Sequence, residues 1–219
     1  MNEAPQILVD KTLGYRAAQY GTQLFFTLWF RERFEAVHHV PREGGVVVVA
    51  NHQSFLDIPL LSHAIPRHVS FLARDTLAGS KPLAALMRTC GAVLIKRGAP
   101  DRAALREMAA HLERGDVVVI FPEGTRSPDG TVQEFRAGAL LAARMAKAPI
   151  VPCGIRGAVE ALPRKALLPR PFKVAARFAA PIDSARDDAL EAARAAIVAM
   201  VGDGRYASIP PYDSAAPVD

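Results

Sequence analysis

Apolar positions fall into two kinds of run along this chain. From Val46 onward, short β-branched runs recur at Val46–Ala50, Val69–Ala73, Ala92–Ile95, Val117–Phe121, Ile150–Ile155 and Phe172–Phe178. Each is too short for a typical helix, and several end in turn residues, which predicts strands buried on both faces. Between them the apolar spacing turns helical, over Phe55–Ala64, Pro82–Thr89, Arg102–Arg114 and Arg136–Lys147, with a last helix near Ala185–Val201. Strands alternating with helices predict an α/β domain with a largely parallel central sheet flanked by helices. That domain is expected over 41–205, with a mobile tail over 206–219. There is no internal repeat and no low-complexity segment.

The first forty residues read differently. Lys11–Phe34 contains no proline, and Leu13, Ala17, Tyr20, Leu24 and Leu28 recur at helical spacing. Its second half, LFFTLWF, is apolar nearly all round and is followed by Arg31 and Arg33. Such a helix either packs on the domain or lies in a membrane interface, with its Arg stems reaching the headgroups. Charges at the ends rather than along one face favour the interface, so residues 1–40 are expected to form a membrane-association segment. No apolar run reaches the ~18–20 residues of a membrane-spanning helix, and no signal-peptide pattern opens the chain.

Composition narrows the partners. Half of the 219 residues are hydrophobic and 22% are charged, which suits a single domain with a sizeable core. The net charge of +5 favours anionic partners such as phosphorylated substrates or an anionic membrane surface. Nucleic acid is disfavoured, because the basic residues form no aromatic-interleaved stripe. The loop Leu162–Phe172 mixes Pro, Leu and basic residues, and fits a membrane contact, the lining of an acidic-ligand site or plain solvated surface. Cys90 and Cys153 sit in apolar runs without a CxxC pattern, as inert thiols in a reducing compartment do.

Candidate chemistry begins at NHQSFLD. His52 and Asp57 are five residues apart. Five residues along a helix turn the chain by about 140°, and odd spacing on a strand places side chains on opposite faces. A strand end, a short loop and the first turn of a helix can bring them together, with Val46–Ala50 as the strand and Pro59 suited to the helix start. The carboxylate would then take the Nδ1 proton of the imidazole in a hydrogen bond and leave Nε2 free as a base, as in a triad without a protein nucleophile. The competing account is a capping box, Ser54-x-x-Asp57, in which the carboxylate serves only the helix N-terminus. On the pair alone the cap is favoured.

A second cluster shifts that balance. In VVVIFPEGTRSPDGT a buried-type strand runs into Glu123, Gly124, Thr125, Arg126 and Ser127, at the carboxyl end where open α/β sheets bind ligands. Gly124 allows a ligand close to the backbone, and the Arg126 fork matches a phosphate. A turn at Ser127-Pro128-Asp129-Gly130 accounts for the end of this stretch and not for its beginning. GAVLIKRG similarly ends a strand in Lys96-Arg97. There is no GxSxG, HExxH, Walker A or metal-spaced His/Cys cluster. His38, His39, His63, His68 and His111 show no spacing that points to a site.

Taken together, these segments resemble the glycerolipid acyltransferases. NHQSFLD resembles their NHx4D motif and FPEGTRS their FPEGTRS motif, in the same order. GAVLIKRG, EFRAGA and IVPCGIRG are similar to further blocks, so the resemblance spans roughly Val46–Gly157. It implies acyl transfer from a thioester, acyl-CoA or acyl-carrier protein, to the hydroxyl of 1-acylglycerol-3-phosphate in phospholipid biosynthesis. His52 would be the general base and Asp57 its orienting partner. Glu123, Gly124, Thr125 and Arg126 would hold the glycerol phosphate with Arg97, and Pro152 would shape the pocket. No metal or other cofactor is implied. The lysophospholipid acceptor places such an enzyme on the membrane surface, peripheral or monotopic, at the cytoplasmic face of the inner membrane. The alternatives are another lysolipid or glycerol-3-phosphate as acceptor, or a thioesterase or lipid hydrolase using water with the same His–Asp pair.

Overall fold

A computed structural model describes residues 24, 26–74, 92–95, 101–164, 166 and 168–202. After a helical segment at 26–30, the chain runs β1 (Arg33–Glu35), a 3-10 turn (Val37–His39), β2 (Val46–Ala50), α1 (Asp57–Ala64), β3 (Val69–Arg74), β4 (Ala92–Ile95), α2 (Asp101–Glu113), β5 (Val117–Ile120), α3 (Gly138–Met145), β6 (Ile150–Arg156), α4 (Ala158–Ala161), β7 (Ala175–Phe178) and α5 (Ala189–Val201). The seven strands form one sheet in the order β1-β7-β6-β2-β5-β3-β4. Every neighbouring pair is parallel except β6–β7. This is the expected α/β architecture, with an inverted pair of strands, β7 and β1, at one edge.

The β-branched run of β2 explains its central place. All five residues are buried, and alternation sends Val46, Val48 and Ala50 to one face and Val47 and Val49 to the other. The first face is covered by Leu60, Leu61 and Ala64 of α1, by Ala158 and Ala161 of α4, and by Phe26 and Phe30. The second is covered by Met108 and Leu112 of α2, by α3, and by Ala193, Ile197 and Met200 of α5. A fully buried valine contributes roughly 1.5–3 kcal/mol, so a strand apolar on both faces is stable only between two helical layers.

Most expected strands fall within a residue or two of those observed. Three differences stand out, and two have a physical cause on view. The helix expected to reach Phe34 ends at residue 30, where Arg31 turns left-handed (φ 46°), and Arg33–Glu35 instead pairs with β7. The N–H of Arg33 bonds the Val174 carbonyl and the N–H of Val174 bonds the Phe30 carbonyl, so a sheet edge satisfies groups that further helix would otherwise pair. β7 is shorter than the expected Phe172–Phe178. The last helix starts at Ala189 rather than Ala185, because Asp183 and Ser184 are in turn contacts, with the Arg144 side chain donating to the Ser184 carbonyl. The expected Pro82–Thr89 helix, Cys90, Lys96, Arg97, the 206–219 tail and most of the Lys11–Phe34 helix lie outside the described residues. Among the described residues no helix is long and apolar enough to cross a membrane.

Gly45 sets how closely α2 approaches the entry to β2. A Cβ there would overlap the Leu112 carbonyl, a backbone group with little freedom to yield. Gly45→Ala is expected to destabilise the fold by about 1–3 kcal/mol, read as a lower urea midpoint at unchanged m-value. An unchanged midpoint would show that α2 is free to shift.

Candidate active site

β2 and β5 are parallel neighbours at the centre of the sheet, so the loops leaving their carboxyl ends lie side by side. At the end of β2, Asn51 turns its side-chain amide toward β6. Its Nδ2 donates to the Ile155 carbonyl at 2.9 Å, and its Oδ1 accepts the Ile155 N–H at 2.7 Å. The amide thereby takes the place of a strand partner and lets the chain leave the sheet without orphaning β6.

His52 and Asp57 are brought together as the spacing allows. The imidazole Nδ1 lies 2.8 Å from Asp57 Oδ2, and the same oxygen accepts the N–H groups of Gln53 (2.7 Å) and Ser54 (2.8 Å). Ser54 Oγ in turn accepts the Leu56 N–H at 3.3 Å. One carboxylate oxygen therefore serves both the imidazole and the N–H groups of the turn ahead of α1, while Leu56 at the N-cap of α1 has no side-chain cap. Facing an oxygen that already accepts two N–H groups, Nδ1 is assigned as the protonated nitrogen, which leaves the Nε2 lone pair available. Asp57 is fully buried, while the His52 side chain keeps 17% of its surface exposed. The Phe121 ring stacks on the imidazole at 4.2 Å and 21° and fixes its plane.

The β5 loop grips His52 by its backbone. Glu123 Oε1 accepts the His52 N–H at 3.2 Å, and the His52 carbonyl accepts the Ser127 N–H at 2.7 Å. Glu123 is buried, and burial raises its carboxyl to about 7, opposed by the His52 N–H bond and reinforced by the negative Asp57. Ser127, Asp129 and Gly130 form the expected turn, and Gln53 Nε2 donates to the Gly130 carbonyl at 3.0 Å. Gly124 has φ 70°, and the Arg136 guanidinium packs against it. Thr125 is exposed beside it. The Arg126 guanidinium lies 3.8 Å above the Phe55 ring, a cation–π contact. Burial, followed by the nearby Arg164 charge, holds Arg126 below its ordinary value.

Gly124, Thr125 and Arg126 thus form an outward-facing loop beside His52, with Glu123 behind it. Pro152 is buried within β6, opposite Val49, where alternation puts it on the same face as Ile150. Cys153 is buried, and burial pushes its thiol well up, as an inert thiol requires. Arg97 lies outside the described residues. Gln53, Phe55 and Phe121 join the site without having been named as candidates from sequence, while Arg136 and Arg164 lie in segments the sequence marked without naming either residue. Gln53, Phe55 and Phe121 lie next to or inside the motif segments, but only their tertiary contacts single them out.

The structure also contains a second His-x4-Asp pair, which the spacing of the histidines alone does not single out. His111 Nδ1 lies 2.8 Å from Asp116 Oδ2, with the same spacing and separation as His52–Asp57. It bridges the end of α2 to the start of β5, at the amino ends of the strands. Ser70 Oγ, 3.2 Å away, shares that same Nδ1, so hydroxyl and carboxylate compete for one nitrogen and form no relay. Arg67 bonds the Pro41, Gly44 and Gly115 carbonyls at this end, beside a cavity of about 380 Å³ lined by Val40, Arg42, Pro66 and Arg67. His63 forms a third pair, with Glu32 at 2.8 Å, near the N-terminal segment. Among the described residues, only His52 combines a wholly buried carboxylate with the carboxyl ends of adjacent strands and an arginine-bearing loop.

A His–Asp pair with a buried carboxylate, facing such a loop, has the chemistry for proton removal from a hydroxyl beside a bound anion. The family model described as Acyltransferase matches residues 31–156, and the chain belongs to the acyltransferase family. Over 127 residues it is 38% identical to the 1-acyl-sn-glycerol-3-phosphate acyltransferase alpha of Ovis aries, covering 56% of this chain and 44% of that protein. Over 120 residues it is 28% identical to the 1-acyl-sn-glycerol-3-phosphate acyltransferase of Bacillus subtilis (strain 168), covering 54% of this chain and 59% of that one. The chain therefore spans about half the length of these curated relatives. The crystal structure of the 1-acyl-sn-glycerophosphate (LPA) acyltransferase PlsC from Thermotoga maritima superposes with a TM-score of 0.71 at 27% identity, covering 87% of this chain and 81% of that one.

Glu123 also makes the fold sensitive to pH. Its folded value of about 7 lies above the ordinary 4.5, so the native state holds a proton that the unfolded chain releases. Stability from this group is complete below about pH 4.5 and is lost as pH rises through about 7. Glu123→Gln keeps an acceptor for the His52 N–H and removes the buried charge. It is expected to melt above the wild type at pH 8, with the gap closing toward pH 5. Melting curves at the two pH values check this, and a gap independent of pH would contradict it.

Proposed function

We propose that this chain transfers a fatty acyl group from an acyl thioester, acyl-CoA or acyl-carrier protein, to the free hydroxyl of 1-acylglycerol-3-phosphate, yielding phosphatidate. The observation that carries the reading is the Nδ1–Oδ2 bond of 2.8 Å between His52 and the fully buried Asp57, beside the Arg126 loop. The names of the relatives support the same acceptor.

In this mechanism His52 Nε2 takes the proton of the acceptor hydroxyl as its oxygen attacks the thioester carbonyl. Asp57 holds the ring and balances the imidazolium that forms. The carbon–sulfur bond then breaks, and the imidazolium returns its proton to the leaving thiolate. The thioester is already activated, so no protein nucleophile is required, and holding both substrates in register supplies much of the remaining acceleration. Arg126 and the Gly124–Thr125 backbone hold the phosphate, with Arg97 as a further ligand. Glu123 acts from behind, fixing the His52 backbone, and Pro152 shapes the sheet beneath. A lipid acceptor calls for a protein that works peripherally on a membrane surface, at the cytoplasmic face.

His52→Ala is expected to lower acyl transfer by about 10²–10⁴-fold in a thiol-release assay with acyl-CoA and lysophosphatidate, at unchanged melting temperature. A variant retaining most wild-type activity would remove His52 as the base. An acceptor panel with one acyl-CoA, read by lipid mass spectrometry, is expected to yield phosphatidate as the main product. Free fatty acid without a diacyl lipid would replace transfer by hydrolysis.

A further inference from the structure

The segment after α4 is a closed loop fastened to the turn that carries His52 and Asp57. The Arg170 N–H bonds the Ala161 carbonyl at 2.7 Å and closes its base, while Ser54 Oγ donates to the Leu162 carbonyl at 2.9 Å. Its far end is joined to the N-terminal segment through the Val174 N–H and the Phe30 carbonyl. Within this frame Leu168 is 79% exposed and Phe172 37% exposed. Arg164, Arg170 and Lys173 are exposed around them. The chain has no Asp or Glu from Ala161 through Ile182. Leu28 and Trp29, on the segment to which the loop is joined, are exposed as well.

We propose that the 162–173 loop is a docking element for an anionic lipid bilayer, with Leu168 and Phe172 entering the boundary between headgroups and acyl chains. Arg164, Arg170 and Lys173 then meet the headgroups, and the mouth of the His52–Asp57 site is held at the lipid surface. This rests on the reading that the acceptor is a membrane lipid. Three features select a bilayer over an acidic protein. Leu168 stands out between the cations with Phe172 partly exposed beside it, an arrangement that inserts into an interface. Pro163, Pro169 and Pro171 remove backbone donors beside them that would otherwise lose water on insertion. The fastening to Ser54 means that docking positions the catalytic turn, which a freely hanging tail would not do.

The test uses the whole chain and sedimentation with vesicles of phosphatidylcholine, alone or mixed with phosphatidylglycerol. A Leu168→Ser, Phe172→Ser double variant is expected to bind the mixed vesicles at least about tenfold more weakly. Arg170→Glu with Lys173→Glu is expected to reduce binding to the mixed vesicles toward the level seen with phosphatidylcholine alone. Turnover of a short-chain acceptor kept monomeric in buffer is expected to stay within about twofold for the double serine variant, because the reacting groups are untouched. An environment-sensitive dye on Leu168→Cys, in a Cys90→Ser background, should shift to the blue with mixed vesicles. Variants that melt like the wild type yet bind the mixed vesicles equally, or a loop that retains acyl-carrier protein and ignores vesicles, would overturn the proposal. Loop-dependent vesicle binding in a chain that transfers no acyl group would uphold docking and remove the proposed function instead.

Discussion

One carboxylate oxygen organises the candidate active site. Asp57 Oδ2 accepts from the His52 ring and from two backbone N–H groups in a place without solvent. A buried charge is costly unless its acceptors are filled; the turn that carries the histidine fills Oδ2, while the buried Oδ1 has no hydrogen-bond partner among the described residues. The turn therefore has little freedom to adopt another shape without leaving the carboxylate unpaired. Geometry of the imidazole and stability of the turn are the same interaction, which is how a short loop fixes the ring without a rigid element beneath it.

The β5 loop shares that constraint. Glu123 binds the His52 N–H from behind, close enough to Asp57 for that negative charge to disfavour its own ionisation. Two acidic groups at one strand end cost stability, and the fold tolerates this because the apolar faces of β2 and β5 are covered by helices on both sides. Local cost at a ligand-facing loop and regularity elsewhere are what a functional site on an α/β scaffold leads one to expect.

Much of this is legible in the chain. The valine run of β2 and the VVVI of β5 are apolar at every position, and only a doubly covered parallel strand accommodates that. His52, Asp57 and Arg126 can be selected because a strand followed by polar residues and a helix start is a local pattern. Arg136 and Arg164 are only partly so: each lies in a segment the sequence marks, EFRAGA and the 162–172 loop, but the packing of Arg136 against Gly124 and the nearness of the Arg164 charge to Arg126 come from the fold. Arg33 and Phe34 of β1 read as the end of the Lys11–Phe34 helix, and what makes them a strand is β7, more than a hundred residues away.

The contrast is sharpest at the two His-x4-Asp pairs. Sequence singled out only His52–Asp57, yet the same five-residue spacing lets both pairs close at 2.8 Å, because a strand end or helix end and a turn suffice locally. Where each pair lies relative to the sheet was decided only by strand order. β2 and β5 pair in parallel, so the loops leaving both strands converge on one surface, while the residues leading into β5, including His111 and Asp116, collect at the other end. Parallel pairing separates the two ends of a sheet by the length of its strands. That separation, absent from the sequence, distinguishes an imidazole facing an arginine loop from a pair that pins a helix to a strand.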